Sequence, residues 1–97
     1  MHVIAPKTLK KFWNKYPDSE GALKAWFHEA RNAKWKTSAE IKDKYRSASI
    51  INSERVVFNI CGNKYRLAVR INYKSETAFI RFVGTHKQYD KIDVESV

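Results

Sequence analysis

Residues 84–90 read Gly84-Thr85-His86-Lys87-Gln88-Tyr89-Asp90, which brings an imidazole, an ammonium, a phenol and a carboxylate together in one short stretch. An imidazole titrates near neutrality and is the usual general acid or base. A phenol can share that work when a neighbouring cation lowers its pKa. Such a run also occurs where a chain merely caps a sheet or begins a helix, so its weight depends on what surrounds it. Arg66, Arg70 and Arg81 lie upstream, with Asn59 and Lys64. Guanidiniums bind phosphates through paired hydrogen bonds and stack on bases. These residue types together suit binding a phosphodiester and moving protons at it.

The elements that must position these groups follow from periodicity. Residues 55–83 alternate as strands do: Arg55 to Ile60, Lys64 to Tyr73 and Thr77 to Val83, with turn chemistry at Gly62-Asn63 and at Lys74-Ser75-Glu76. With Phe58, Ile60, Leu67, Val69, Ile80 and Phe82 on the buried face, Asn59, Arg66, Arg70 and Arg81 share the open one. Polar residues are usual on such a face. Three arginines without a carboxylate among them are expected to form a phosphate-binding surface.

The first half of the chain is helical. Pro6 suits a first turn, and Leu9, Phe12, Trp13 and Tyr16 follow at helical spacing, with Lys7, Lys10, Lys11 and Lys15 on the other side as a solvated face. Pro17 stops that helix, and Asp18 is the expected N-cap of a second one running to about Ala33. Thr37-Ser38-Ala39-Glu40 has capping-box spacing and opens a short helix to about Tyr45; the polar stretch Arg46 to Glu54 is expected as loop. His2 to Ala5 suits a short strand. Trp13 and Trp26 are expected in the core, and Trp35, between two lysines, as a half-exposed lid. The fold class is α+β: an N-terminal helical hairpin packed on one face of a small, mainly antiparallel sheet.

Composition bounds the rest. The 97 residues fit one domain, residues 1–97, and 43% hydrophobic residues argue against disorder. Lys plus Arg number 19 against 10 Asp plus Glu, a net charge of +9 that points toward polyanions, above all nucleic acid. Cys61 is the lone cysteine, with no adjacent base, and no zinc ligand spacing, Gly-rich phosphate loop or paired-carboxylate motif occurs. No apolar stretch is long enough for a signal peptide or membrane span. The expected compartment is therefore the cytoplasm.

Motifs along nearly the whole chain resemble the HigB family of bacterial toxins, within the RelE-like superfamily of mRNA interferases. The residues are Val3-Ile4, Leu9-x-x-Phe12-Trp13-x-x-x-Pro17, Trp26, Trp35, Val57-Phe58-Asn59-Ile60, Gly62-Asn63-Lys64-Tyr65-Arg66-Leu67, Ile80-Arg81-Phe82-Val83-Gly84-Thr85-His86 and Tyr89-Asp90. The helical matches are generic; the hairpin into Tyr-Arg-Leu and the Thr-His-x-x-Tyr-Asp closure are specific in combination. The resemblance implies a toxin that cleaves mRNA on translating ribosomes without metal or cofactor. It also implies a cognate helix-turn-helix antitoxin of the HigA kind. By that resemblance Arg66 contacts the scissile phosphate, His86 and Tyr89 are acid–base groups, and Lys87 and Arg81 give electrostatic support. Arg70, Asn59 and Lys64 join Arg81 as RNA contacts. The chain departs from the RelE proteins where they carry a strand lysine pair, here Val57 and Asn59. Their C-terminal tyrosine also falls further on, near Ile92. Two other readings remain: an RNA- or ribosome-binding module that blocks translation by occupancy, and a domain whose basic face pairs with an acidic protein.

Overall fold

The computed structural model describes every residue from Met1 to Val97. Strand β1 (His2–Ile4) leads into helix α1 (Lys7–Lys15), a 3-10 turn (Pro17–Ser19), helix α2 (Glu20–Asn32) and helix α3 (Ser38–Lys44). Strands β2 (Ser49–Ile50), β3 (Arg55–Ile60), β4 (Tyr65–Asn72) and β5 (Thr77–Thr85) follow, and a one-turn helix, α4 (His86–Tyr89), leaves the last strand. The sheet order is β1-β5-β4-β3-β2, with β1 parallel to β5 and the other pairs antiparallel. The helices cover one face, as an α+β chain with helices first requires. Expected loop 46–54 contains β2, whose Ser49 and Ile50 pair with Val57 and Val56.

The core lies between that face and the helices. Leu9 and Phe12 from α1, Leu23, Trp26 and Ala30 from α2, and Ile41 from α3 meet Val56, Phe58, Leu67, Val69, Ile71 and Ile80 of the sheet. Phe58 is the hub: Trp26, Trp35 and Tyr45 all pack their rings against it, at centroid distances of 5.4, 6.2 and 5.0 Å. Trp35 is therefore core, 5% exposed, and not the half-exposed lid its flanking lysines suggest. Lysine stems can run along apolar surface while the heads reach water, so the neighbours of a tryptophan do not decide its burial. The amino group of Met1 donates to the main-chain oxygens of Ala30, Arg31 and Ala33, placing a cation on the negative end of α2.

Two details reposition site residues. Asp18 is not the N-cap of α2; Ser19 holds that place, and no side chain caps it. The 3-10 turn begun by Pro17 carries Asp18 away from the helix end, leaving its carboxylate free to meet β4. In β5, Val69 pairs with Ile80 but Ala68 pairs with Phe82, so Arg81 is the extra residue of a β-bulge. A single inserted residue reverses facing beyond it. Phe82 therefore lies opposite Ala68 on the face away from the helices, correcting its expected place in the core, and Val83 packs against the core instead.

Candidate active site

Strand register builds the face away from the helices in rows. Asn59, Arg66 and Gly84 form one row, Val57, Ala68 and Phe82 the next, and Arg55, Arg70 and Phe79 a third. Val57 and Ala68 are each 2% exposed, although they stand apart from the main core. The C-terminal tail reaches this side: the main-chain oxygen of Val97 accepts from Arg55 Nη2 at 3.0 Å and from Arg81 Nε at 3.2 Å. The middle of the expected open basic face is thus apolar and partly covered.

The arginines are accordingly dispersed. Arg70 is exposed and pairs with Glu54 at 3.2 Å, so the face does contain a carboxylate partner. Arg81 sits on the bulge and holds the tail. Arg66 alone stands beside α4, in register with Gly84; its Nη1 donates to the main-chain oxygens of Asn63 and Tyr65, at 2.9 and 3.3 Å, which folds the guanidinium over the β3–β4 turn. Asn59 opposite donates to Ser47 O and Asn63 Oδ1, steadying the same turn. That turn begins with Cys61 and Gly62 in left-handed conformations, φ 54° and 68°. The cysteine there adopts a conformation that glycine reaches without cost.

Helix α4 forms because Thr85 caps it: Thr85 Oγ1 accepts from Gln88 N at 3.2 Å, and Gln88 Oε1 accepts from Thr85 N at 2.9 Å. The turn divides the candidates between two sides. His86 and Lys87 line a cleft of about 670 Å³ with Lys15, Tyr16, Pro17, Asp18, Lys64, Tyr65 and Thr85. Tyr89 faces the other way, its ring 6.3 Å from that of Phe82. His86 Nδ1 lies 3.2 Å from Asp90 Oδ2, one turn on, and the side chain is more than half exposed. A carboxylate on one imidazole nitrogen fixes the ring and leaves Nε2 for an incoming group.

The cleft's other wall is the Asp18 cluster, which the sequence did not disclose. The Asp18 carboxylate accepts from the Lys64 ammonium and, at 2.6 Å, from the Tyr65 hydroxyl, across 47 positions of chain. Hydrogen bonds from Lys64 and then Tyr65 hold the Asp18 carboxyl below its ordinary value of 3.8. The same carboxylate raises the Lys64 ammonium and the Tyr65 phenol above theirs. Lys64 is thus in the site, but as half of an ion pair. Lys15 and Tyr16 complete the wall from the end of α1. Only their periodicity was legible beforehand, and it spoke for a helix face rather than for a cleft.

The structure therefore brings together His86, Lys87 and Lys64 in one cleft and Arg66 beside the short helix that borders it, with Asn59 next to Arg66 in register and Tyr89 on that helix outside the cleft. Arg70 and Arg81 lie further along the sheet. No helix is long and apolar enough to cross a membrane. Cations next to an imidazole that has its own carboxylate can bind a phosphodiester and move a proton at it.

Comparison with known proteins points the same way. The mRNA interferase toxin HigB of Escherichia coli (strain K12) is 32% identical over 92 residues, covering 93% of this chain and 88% of that protein. An mRNA interferase HigB of Shigella flexneri matches equally, and one of Escherichia coli O6:H1 is 22% identical over 94 residues, covering 95% of this chain and 91% of its own. A family model described as HigB_toxin, the RelE-like toxic component of a toxin-antitoxin system, matches residues 19–92. With that match over most of its length, the chain belongs to the HigB toxin family.

Proposed function

We propose that this toxin cleaves mRNA on the translating ribosome, in the cytoplasm, by a metal-independent transfer within the RNA strand. Family membership makes the chain the toxin of a toxin–antitoxin system, with an antitoxin as partner, and its relatives bear the name mRNA interferase. The supporting observation is the position of His86 on α4, with Asp90 behind its ring and Lys87 and Lys64 beside it in the cleft.

In the proposed reaction the RNA 2′-hydroxyl attacks the adjacent phosphorus. The 2′-oxygen–phosphorus bond forms and the phosphorus–5′-oxygen bond breaks. His86 Nε2 takes the 2′-hydroxyl proton, and the imidazolium it becomes is stabilised by Asp90. Arg66, swung from its main-chain contacts at the β3–β4 turn, and Lys87 carry the added charge on the non-bridging oxygens. Tyr89, turned from its place against Phe82 toward the cleft, supplies the proton for the departing 5′-oxygen, leaving a 2′,3′-cyclic phosphate and a 5′-hydroxyl. Arg70, Arg81, Asn59 and Lys64 contact flanking RNA, and the antitoxin is of the helix-turn-helix, HigA-like kind. The deciding experiment maps mRNA 5′ ends after induced expression of the wild type, His86→Ala and Arg66→Ala. New ends in the wild type alone are expected. Translation arrest with intact transcripts would instead establish block by occupancy.

A further inference from the structure

The lysines of α1 are the largest group of unpaired cations in the molecule. Lys24, Lys36, Lys44, Lys64 and Arg70 have carboxylate partners. Lys7, Lys10, Lys11 and Lys15 have none, and all are exposed. Lys7, Lys11 and Lys15 recur at four-residue intervals, so they form one row along the helix with about 6 Å of rise between neighbours.

That row runs into the cleft. Lys11 and Lys15 line a hollow of about 260 Å³ with Thr8, Phe12, Tyr16, Val83 and Gln88. Lys15 and Tyr16 also border the cleft that holds His86 and Lys87. Gln88 in the first hollow and Lys87 in the second are neighbours on α4, so the two are continuous across it. The Lys15 ammonium lies over the Tyr16 ring, 5.9 Å from its centre, at the point that the two hollows share.

We infer that the Lys7–Lys11–Lys15 row is a phosphate-binding track, on which the single-stranded RNA leaving the cleft lays its backbone along α1. The inference rests on the RNA-cleaving reading of the cleft and adds a substrate surface that the sheet arginines do not supply. An evenly spaced row of unpaired ammonium groups fits a regularly charged strand, because each lysine neutralises a phosphate as a point charge without demanding a base or a fixed angle.

The test is binding of a fully 2′-O-methylated single-stranded RNA, which offers no 2′-hydroxyl and cannot be cut, followed by fluorescence anisotropy over a range of salt. An oligonucleotide of about twelve residues reaches from the cleft onto α1, whereas one of about four does not. The wild type should prefer the longer strand. Changing Lys7, Lys11 and Lys15 together to Gln should weaken binding of the longer strand by roughly tenfold and flatten its log–log salt slope by about 2. The corresponding triple change to Arg should retain both, separating charge from any effect on the helix. Unchanged affinity and slope in the Gln variant would overturn the track and leave the face for an acidic protein. Because the probe cannot react, binding through α1 by a chain that leaves mRNA on translating ribosomes intact would sink the nuclease reading while supporting the track.

Discussion

Phe82 lies so close over Gly84 that a methyl group on Gly84 would stand 2.5 Å from Phe82 Cζ and 2.7 Å from Gln88 Oε1. The bulge at Arg81 creates this relationship, since it turns Phe82 onto the face that Gly84 shares with Arg66. The ring then supports Tyr89 from below. Gly84 is thus the point where β5, α4 and the arginine row approach one another. Gly84→Ala should force the ring and the Gln88 cap apart, costing about 1–3 kcal/mol of stability by overpacking. RNA cleavage should fall further than stability alone explains. Phe82→Leu in the same chain should restore part of both losses. A Gly84→Ala protein with wild-type melting temperature and cleavage rate would show that the close approach has no bearing on the site.

The imidazole of His86 is exposed and takes no part in the core, so removing it should test chemistry rather than folding. His86→Ala should lower single-turnover cleavage of mRNA on programmed ribosomes by about 10²–10⁴-fold with the melting temperature unchanged. Asp90→Asn keeps the imidazole but removes the charge behind it, and should give a smaller loss. Equal rates for His86→Ala and the wild type would remove His86 from the mechanism.

The Asp18 cluster predicts a pH dependence. The folded carboxyl lies below 3.8, so its contribution to stability is present above the unfolded value and is lost as pH falls through the folded one. Lys64 and Tyr65 are shifted upward, so theirs is present below their ordinary values of 10.5 and 10.0 and is lost as pH rises through the folded ones. Asp18→Asn should therefore melt lower than the wild type across the neutral range, with the gap closing in acid as pH falls past 3.8 through the lowered folded value, and again in strong alkali. A gap that persists unchanged at low pH would mean that the ion pair is not its source.

The tail gives a prediction about dynamics. Arg81 and Arg55 both donate to Val97, and Arg55 Nε is buried without a partner of its own. Arg81→Ala should speed amide hydrogen exchange at residues 94–97 and leave β3 and β4 as protected as before. Faster exchange throughout the sheet would show instead that the bulge arginine supports the strands themselves.

How much of this was legible depends on how local each cause is. Leu9, Phe12, Leu23 and Trp26 announce their helices because periodicity is carried by near neighbours, and Arg55–Ile60 announces its strand in the same way. The bulge at Arg81 changes nothing in the composition of β5: alternation continues through Ile80-Arg81-Phe82 as if unbroken, and only pairing with Ala68 and Val69 exposes the extra residue. Asp18 follows a helix-breaking proline and has the type of a cap. Its partners, Lys64 and Tyr65, lie in another half of the chain, and no local pattern links them. The chemistry at His86 was visible as a cluster of residue types. The assignment of His86 to a cleft and Tyr89 to the opposite side required the helical turn between them.

Phe58 offers the sharpest test of the packing. It is 1% exposed and sits where three aromatic rings from separate segments converge: Trp26 of α2, Trp35 of the connection before α3, and Tyr45 just after α3. Tyr45 is held in turn by its hydroxyl, which donates to the Glu29 carboxylate; burial and that bond push its phenol well above the ordinary range. Phe58→Ala would remove the ring that all three share, and Tyr45 is held from filling the space by its bond to Glu29. The expected cost is about 3–5 kcal/mol in urea unfolding, the range for a truncated core aromatic. Phe58→Leu keeps most of the volume and should cost much less. The pair distinguishes a cavity from a disrupted strand. If Leu is as damaging as Ala, stability depends on the aromatic contacts themselves, and if Ala costs less than about 1 kcal/mol, the core collapses around the gap and α3 is not anchored through Phe58.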